Sequence, residues 1–290
     1  MIRNTHDDGG QPPALRCYLN MGTLAELPDF STGPRPDDAE LYHAIKAAGY
    51  QGVQGGDAKP ARAAGLGAAG GGRVNEPDEA ATTAKQNIDA GFECATLHVG
   101  WGMEDDDQMD RLVDAVLDAS AKFDFPMFIE THRATITQDN WRTVKLVERR
   151  PDVRFNGDFS HWYTGHEMVY GGFGKKLAFI TPVLERVRFI HGRIGNPGCM
   201  QVAVGVRDDE PNVEHFKAMW IASMRGFLRT AEMGDYLTFA PELLYAKNAY
   251  ARTFPGAGGV LTEESDRWSQ ALKYCDIARA CFASAKTNIH

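Results

Sequence analysis

Short apolar runs recur along this chain at a spacing that leaves room for one helix between each pair. Leu15 to Leu19, Gly52 to Gln54, Cys94 to Val99, Pro126 to Ile129, Val153 to Phe155, Val187 to Ile190 and Tyr236 to Ala240 are each bounded by Gly, Pro or Asp. Runs this short and this apolar read as strands buried on both faces. Gly65 to Val74 is too glycine-rich to be a strand on propensity, yet it fills the slot between two helices where one is expected. Counting it gives eight.

The intervening segments carry the helical period. Met109, Leu112, Val113, Val116, Leu117 and Ser120 fall on one stripe, with Asp110, Arg111, Asp114 and Asp118 facing elsewhere. Leu41, Ala44, Ile45 and Ala48 repeat the pattern after Asp37 and Asp38, which suit a helix start, and Gly49 suits a left-handed stop. Trp268, Leu272, Cys275 and Phe282 give a C-terminal example, preceded by Thr262, Glu263 and Glu264 as cap and first turn.

Eight strands alternating with helices predict parallel βαβ units, and eight such units close as an α/β fold, the (β/α)8 TIM barrel, in a single domain. The second unit is short, with a stunted helix near Ala58 to Ala64. The seventh interval, from Ile190 to Leu237, is long and predicts a loop over the barrel mouth. Residues 1–12 read as a flexible tail and 13–290 as the barrel.

Charge and cysteine usage narrow the function. Lys plus Arg is 31 and Asp plus Glu 39, a net charge of −8 with no basic run, which argues against a surface that tracks nucleic acid. The five cysteines are scattered and never form a CxxC pair, so a reducing compartment is expected. The N-terminal MIRNTHDDGGQPP has no apolar core, and no stretch approaches the roughly 20 apolar residues of a membrane helix. The expectation is a cytoplasmic protein with no membrane partner. Gly165 to Gly174 is glycine-rich but follows no strand, which argues against a dinucleotide fingerprint.

Chemistry in such a barrel sits where the strands end at their C-terminal side. The fourth to eighth strands end at His98, Glu130, Asp158, His191 and Glu242, in TLHVGWG, MFIETHR, RFNGDFSHW, RFIHGR and TFAPELL. Each has a simpler reading: Glu130 as a partner for Arg133, Asp158 as part of an Asn-Gly turn, His191 as a satisfied core histidine, Glu242 as a helix N-terminal acid. One barrel register places all of them at one rim, however, so the joint assignment outweighs the separate ones. Three carboxylates gathered after apolar runs repel one another unless a positive centre lies between them. A divalent metal held by Glu130, Asp158, His191 and Glu242 resolves the conflict. The donor set suits Mn²⁺ first, then Mg²⁺, Co²⁺ or Zn²⁺.

The order Glu, Asp, His, Glu on strands five to eight, within MFIETH, GDFSH, FIHGR and APE, resembles the xylose isomerase-like TIM-barrel superfamily. That superfamily includes sugar and sugar-phosphate isomerases and epimerases, inosose dehydratases, hydroxypyruvate isomerases and endonuclease IV. The similarity runs from Leu15 to about Phe282. It implies that the quartet binds metal, that His161 reaches substrate or a second metal, and that Arg193 anchors a substrate anion or hydroxyl. It further implies pocket roles for His98, at the strand-four position, and for His132, in an ExH element. Endonuclease IV takes another histidine from strand three, where this chain has Gly70, Gly71 and Gly72, and a further zinc-ligand pair where it reads Gly192-Arg193-Ile194-Gly195-Asn196-Pro197. The trinuclear site is therefore not expected here.

The resulting expectation is an enzyme, a metal-dependent isomerase or epimerase acting on a sugar or related polyhydroxy carbonyl compound. Glu130 and Glu242 are its acid/base pair, His161 and Arg193 orient substrate oxygens, and Trp101 and Trp162 offer apolar faces to the sugar. A lyase of the inosose dehydratase type is the alternative. An endonuclease-like hydrolase and a non-catalytic carbohydrate-binding barrel rank lower. The partner is a small carbohydrate-like molecule, unphosphorylated by weak preference, and the ring of outer helices leaves a surface for a homo-oligomer.

Overall fold

Each apolar run read as a strand pairs with the next in the same direction. The computed structural model describes residues 2–7, 9–205 and 210–287. In chain order its strands are β1 (Thr5–His6), β2 (Ala14–Asn20), β3 (Gly52–Gln54), β4 (Gly67–Val74), β5 (Ala95–Val99), β6 (Met127–Glu130), β7 (Phe155–Gly157), β8 (Val187–Gly192), β9 (Asp235–Pro241), β10 (Thr253–Pro255) and β11 (Leu261–Glu263). The helices are α1 (Leu41–Ala47), α2 (Ala58–Ala63), α3 (Glu79–Asp89), α4 (Asp106–Phe123), α5 (Asn140–Arg149), α6 (Ser160–Gly165), α7 (Phe173–Leu184), α8 (Pro211–Leu228) and α9 (Arg267–Thr287). Strands β2 to β9 are parallel neighbours in sequence order, and the β9–β2 pairing closes the ring, with Cys17 opposite Phe239. The chain is a single-domain (β/α)8 barrel.

Local chemistry explains the elements. Asp105 accepts the Gln108 N–H at 2.8 Å while Gln108 accepts the Asp105 N–H at 2.9 Å, a reciprocal cap that starts α4. The helix then buries Met109, Leu112, Val113, Val116, Ala119 and Ser120, and Leu117 is half-buried. The glycines of β4 admit helix α3 against the strand: a β-carbon on Gly72 would come within 2.6 Å of the Thr83 methyl. Propensity therefore misjudges this strand because its glycines are there for close approach. Tyr18 exploits the same device inside the barrel. It lies across β3 and β4, where a β-carbon on Gly52 would come within 2.5 Å of its ring and one on Gly67 would overlap its hydroxyl. That hydroxyl donates to Glu93 and lies 3.4 Å from the Tyr236 hydroxyl.

The structure departs from the sequence reading at several ends. Helix α1 begins at Leu41 rather than at Asp37 and Asp38, because Asp38 spends its carboxylate on the Arg35 N–H at 2.6 Å, closing the preceding turn. Gly49 is the left-handed stop, at φ 93°. Thr262 and Glu263 belong to β11, and α9 is instead capped by Asp266, which accepts the Trp268 N–H at 3.1 Å and the Ser269 hydroxyl at 2.7 Å. Within the expected tail, Thr5 and His6 pair antiparallel with Tyr236 and Asp235, and Ile2 and Thr5 are buried. Of the long seventh interval, residues 193–205 lie at the mouth and Pro211–Leu228 forms α8; residues 206–209 lie outside the described set. Among the described residues no helix is long and apolar enough to cross a membrane.

Candidate metal centre

Four strand ends converge on one point. Glu130 is the last residue of β6, Asp158 follows β7, His191 is the penultimate residue of β8, and Glu242 follows β9. Each contributes one potential ligand atom, and those atoms lie within 4.8 Å of one another. Glu130, Asp158 and His191 are buried, and Glu242 is half-buried. The structure thus gathers the four residues that the strand-end pattern selected.

Two amides set the orientation of the imidazole. His191 Nε2 lies 2.9 Å from Gln54 Oε1, and Asn20 fixes which end of that amide faces the ring, since its Oδ1 accepts the Gly22 N–H and its Nδ2 is left to donate to Gln54 Oε1. With its proton on Nε2, His191 turns the Nδ1 lone pair toward Glu130 Oε2 and Glu242 Oε2, which stand 3.4 and 3.6 Å away. Asn156 Nδ2 lies 3.1 Å from both Glu130 Oε2 and His191 Nδ1. Asn20 Nδ2 completes the set, donating to Gln54 Oε1 at 2.9 Å and Glu242 Oε1 at 3.2 Å.

A second group of contacts holds Asp158. Its Oδ1 accepts the Ser160 N–H at 3.1 Å and the Ser160 hydroxyl at 2.6 Å, while its Oδ2 pairs with Arg193 and lies 3.4 Å from His161 Nε2. Arg193 Nε donates to the same Ser160 hydroxyl at 2.9 Å, and Nη1 lies 3.1 Å from Glu242 Oε2. The guanidinium is fully buried, with its carbon 4.5 Å from the centre of the Tyr250 ring. It lies between two of the four potential ligands.

Electrostatics show what the cluster lacks. Three carboxylates against one guanidinium leave a formal charge of −2 while His191 is neutral (−3 + 1). Burial opposes ionisation of Glu130, but His191 and His98 beside it outweigh this and hold its carboxyl well below the usual range. Burial likewise opposes Asp158, and Arg193 and His161 pull it below the usual range. His191 responds in the other direction: burial disfavours its charged form, yet Glu242 and Glu130 raise it to about 9. A site that draws a proton onto a buried imidazole is short of positive charge.

That deficit is the size of a divalent ion, and the donors suit one: carboxylate oxygens, which hard cations prefer, and an imidazole nitrogen, which borderline ions accept. Two buried polar atoms of the site's residues, Asn156 Oδ1 and His161 Nδ1, are left without a hydrogen bond. The backing of His191 by Gln54 is the outer support that metal-binding imidazoles require. The residues fit a divalent cation.

The other expected pocket residues divide into two groups. His98, His132 and His161 form a row, with ring centres 4.2 Å apart for the first pair and 3.9 Å for the second. His98 Nε2 lies 3.3 Å from Glu130 Oε1, and Glu130, His98 and His132 form a second potential ligand group within 4.8 Å. Burial and the neighbouring His161 push the His132 imidazole down to about 3. Trp162, by contrast, has no exposed surface; its indole N–H donates to the Thr137 carbonyl at 2.8 Å. It is a core residue and offers no face to a ligand. Trp101 is half exposed but lies under the Arg73 guanidinium, 4.0 Å from its ring centre.

Sequence reasoning misses Asn20, Gln54, Asn156, Ser160 and Tyr250. The first two end β2 and β3 as the charged residues end later strands, so a positional signal exists, but a neutral amide lacks the burial cost that marks a charge. Tyr250 lies in the loop after β9, which bears no period. That loop is tied to the one after β8 by Gln201, whose amide donates to the Leu244 carbonyl and accepts the Leu244 N–H, both at 2.9 Å. Together with Arg133, Thr164 and strands β10 and β11 they wall a cleft of about 950 Å³.

No protein-family model and no curated protein matches this chain. Solved structures do match. A probable 3-DHS dehydratase, AsbF, from Bacillus anthracis aligns at TM-score 0.51 and 12% identity over 96% of this chain and 100% of that one. A D-tagatose 3-epimerase-like protein aligns at 0.53 and 7% over 95% and 100%. A xylose isomerase-like TIM barrel protein from Mycobacterium smegmatis, in complex with magnesium, aligns at 0.52 and 12% over 95% and 98%. At these identities the likeness is one of fold, a (β/α)8 barrel that these three proteins share with this chain.

Proposed function

We propose that this xylose isomerase-like barrel is a metal-dependent isomerase or epimerase, moving a proton on a sugar or related polyhydroxy carbonyl compound. The observation that carries the reading is the placement of Glu130 Oε2 and Glu242 Oε2, 3.4 and 3.6 Å from one atom, His191 Nδ1. Glu130, Asp158, His191 and Glu242 would hold the ion, with Mn²⁺ favoured. When bound, a divalent cation stabilises the negative charge that develops as a proton leaves carbon beside a carbonyl.

The chain supplies the rest. Glu130 and Glu242 are the acid/base pair, one removing the proton and the other returning it. Asn156 and His98 hold Glu130 in place for this transfer, and Asn20 and Arg193 hold Glu242. Arg193 is a positioning residue, since its guanidinium is buried against Asp158 and Glu242. His132 lines the approach, and His161, whose side chain is enclosed, lies behind it against Asp158. The epimerase-like and magnesium-bound neighbours support this reading at the level of fold.

A second reading, elimination of water by a dehydratase, is favoured by one contact. His98 Nε2 beside Glu130 is an acid within 3.3 Å of the base, able to protonate a departing hydroxyl. Both readings are tested together. Metal-loaded protein in D₂O is incubated with ketoses, inososes and keto-glycosides, and products are weighed by mass spectrometry. Deuterium gained at carbon supports proton transfer with return, and loss of one water supports elimination. Neither change across the panel would leave a carbohydrate-binding barrel as the better description.

A further inference from the structure

The cleft that meets the metal centre through Tyr250 has an unusual charge. The whole chain carries −8, and the neighbouring centre is built from carboxylates. Yet among the described residues the cleft's walls contain three cations, Arg133, Lys247 and Arg252, and no Asp or Glu. Two of the three are neutralised from outside: Lys247 pairs with Glu26 at 2.5 Å, and Arg252 pairs with Glu264. Arg133 has no carboxylate partner among the described residues.

Arg133 is also held in place on the cleft wall. It stands three residues after Glu130, on the loop that leaves β6. Its carbonyl accepts from His132 Nδ1, and the next residue, Ala134, is locked at φ 54°, a left-handed conformation that a β-carbon disfavours. The Ala134 carbonyl is in turn within 3.4 Å of Arg73 Nη2. The guanidinium carbon lies 5.3 Å from the centre of the Tyr250 ring, and Nη2 reaches the Tyr250 hydroxyl at 3.4 Å. Tyr250 is the same ring against which the buried Arg193 rests, so it connects cleft and centre.

We infer that the substrate carries an anionic end, a carboxylate or a phosphate, and that Arg133 with the Tyr250 hydroxyl receives it while the carbonyl end enters the metal centre. The inference rests on the isomerase or lyase reading for the second half of that sentence. A guanidinium offers two parallel N–H donors that match either anion, and an unpaired cation at a cleft mouth draws anions in against the chain's overall charge. Exposed Arg133 keeps its donors free for this because Tyr250 takes only one of them.

Equilibrium binding tests the inference without turnover. D-glucitol, D-gluconate and glucitol 6-phosphate are titrated calorimetrically into metal-loaded wild type, Arg133→Ala and Arg133→Glu. Wild type is expected to bind at least one of the anions about ten- to a hundredfold more tightly than glucitol, as for hydrogen bonds to a charged group. In Arg133→Ala that ratio falls about tenfold, and in Arg133→Glu it falls further. A larger step for gluconate assigns sugar acids, and one for the phosphate assigns sugar phosphates. An unchanged ratio in Arg133→Ala, or glucitol bound as tightly as both anions by wild type, overturns the inference. Failure of deuterium exchange counts against the proposed reaction and leaves this result standing.

Discussion

Gln54 Oε1 sits 2.9 Å from His191 Nε2, across the barrel mouth from the strand that carries the histidine. The contact assigns the Nε2 proton and leaves Nδ1 to face Glu130 and Glu242. Gln54→Leu removes it while keeping similar bulk. Metal affinity is expected to fall about 10- to 100-fold, the usual cost of losing an outer partner of a ligand imidazole, with little change in melting temperature of the metal-free protein. Titration calorimetry with Mn²⁺ checks this, and unchanged affinity would remove Gln54 from the site.

Replacing Glu130 or Glu242 by Gln keeps the hydrogen-bonding outline and removes the base. Solvent-deuterium incorporation is expected to fall about 10²- to 10⁴-fold for each variant, the range for a positioned acid or base. Stopped assays at matched metal occupancy separate this from loss of the ion.

Asp158 and Arg193 are both fully buried and paired. Asp158→Ala leaves the guanidinium with Glu242 alone, and such a broken buried pair costs about 3–5 kcal/mol. Urea unfolding of the metal-free variant should show a loss near the low end, because Glu242 remains. Adding Arg193→Met to the same variant should recover part of it, since no buried guanidinium is then left short of its Asp158 partner.

Acid stability should depend in part on the cap of α9. Hydrogen bonds from Ser31, Ser269 and two backbone N–H groups outweigh burial and hold the Asp266 carboxyl below its ordinary value. A depressed carboxyl contributes stability above the unfolded pKa of about 3.9 and loses it as pH falls through the folded value. Asp266→Asn should therefore have the lower melting temperature at pH 7, and the gap from wild type should close as the pH is taken below about 4. A gap that stays constant with pH would assign the effect to packing.

These tests bear on features of unequal visibility in the sequence. The barrel is legible because its strands are apolar on both faces and punctuated by Gly, Pro and Asp, so the runs stand out without any alternation. Glu130, Asp158, His191 and Glu242 are legible as a set because charge directly after such a run is costly and therefore informative. The amides Asn20, Gln54 and Asn156 carry no such cost, and nothing in their spacing separates them from ordinary polar residues. Trp162 reads as an aromatic near the site, and only packing reveals that its ring is enclosed and its N–H already used. The hairpin of β10 and β11 is short and exposes Phe254 and Leu261, so it has neither the period nor the burial that marks a strand. Asp266 is masked as a cap because Thr262, Glu263 and Glu264 precede it in an equally suitable pattern.

The crossing of Tyr18 over Gly52 and Gly67 bears on how this barrel can change over generations. The three positions lie on consecutive strands and share one volume, so their substitutions are not independent. Either glycine can gain a side chain only after Tyr18 has become smaller, and the reverse order passes through an intermediate that does not pack. Descendants of this chain are thus expected to vary at these sites in a fixed sequence or not at all, and homologous barrels should present a large residue on one of the three strands at a time.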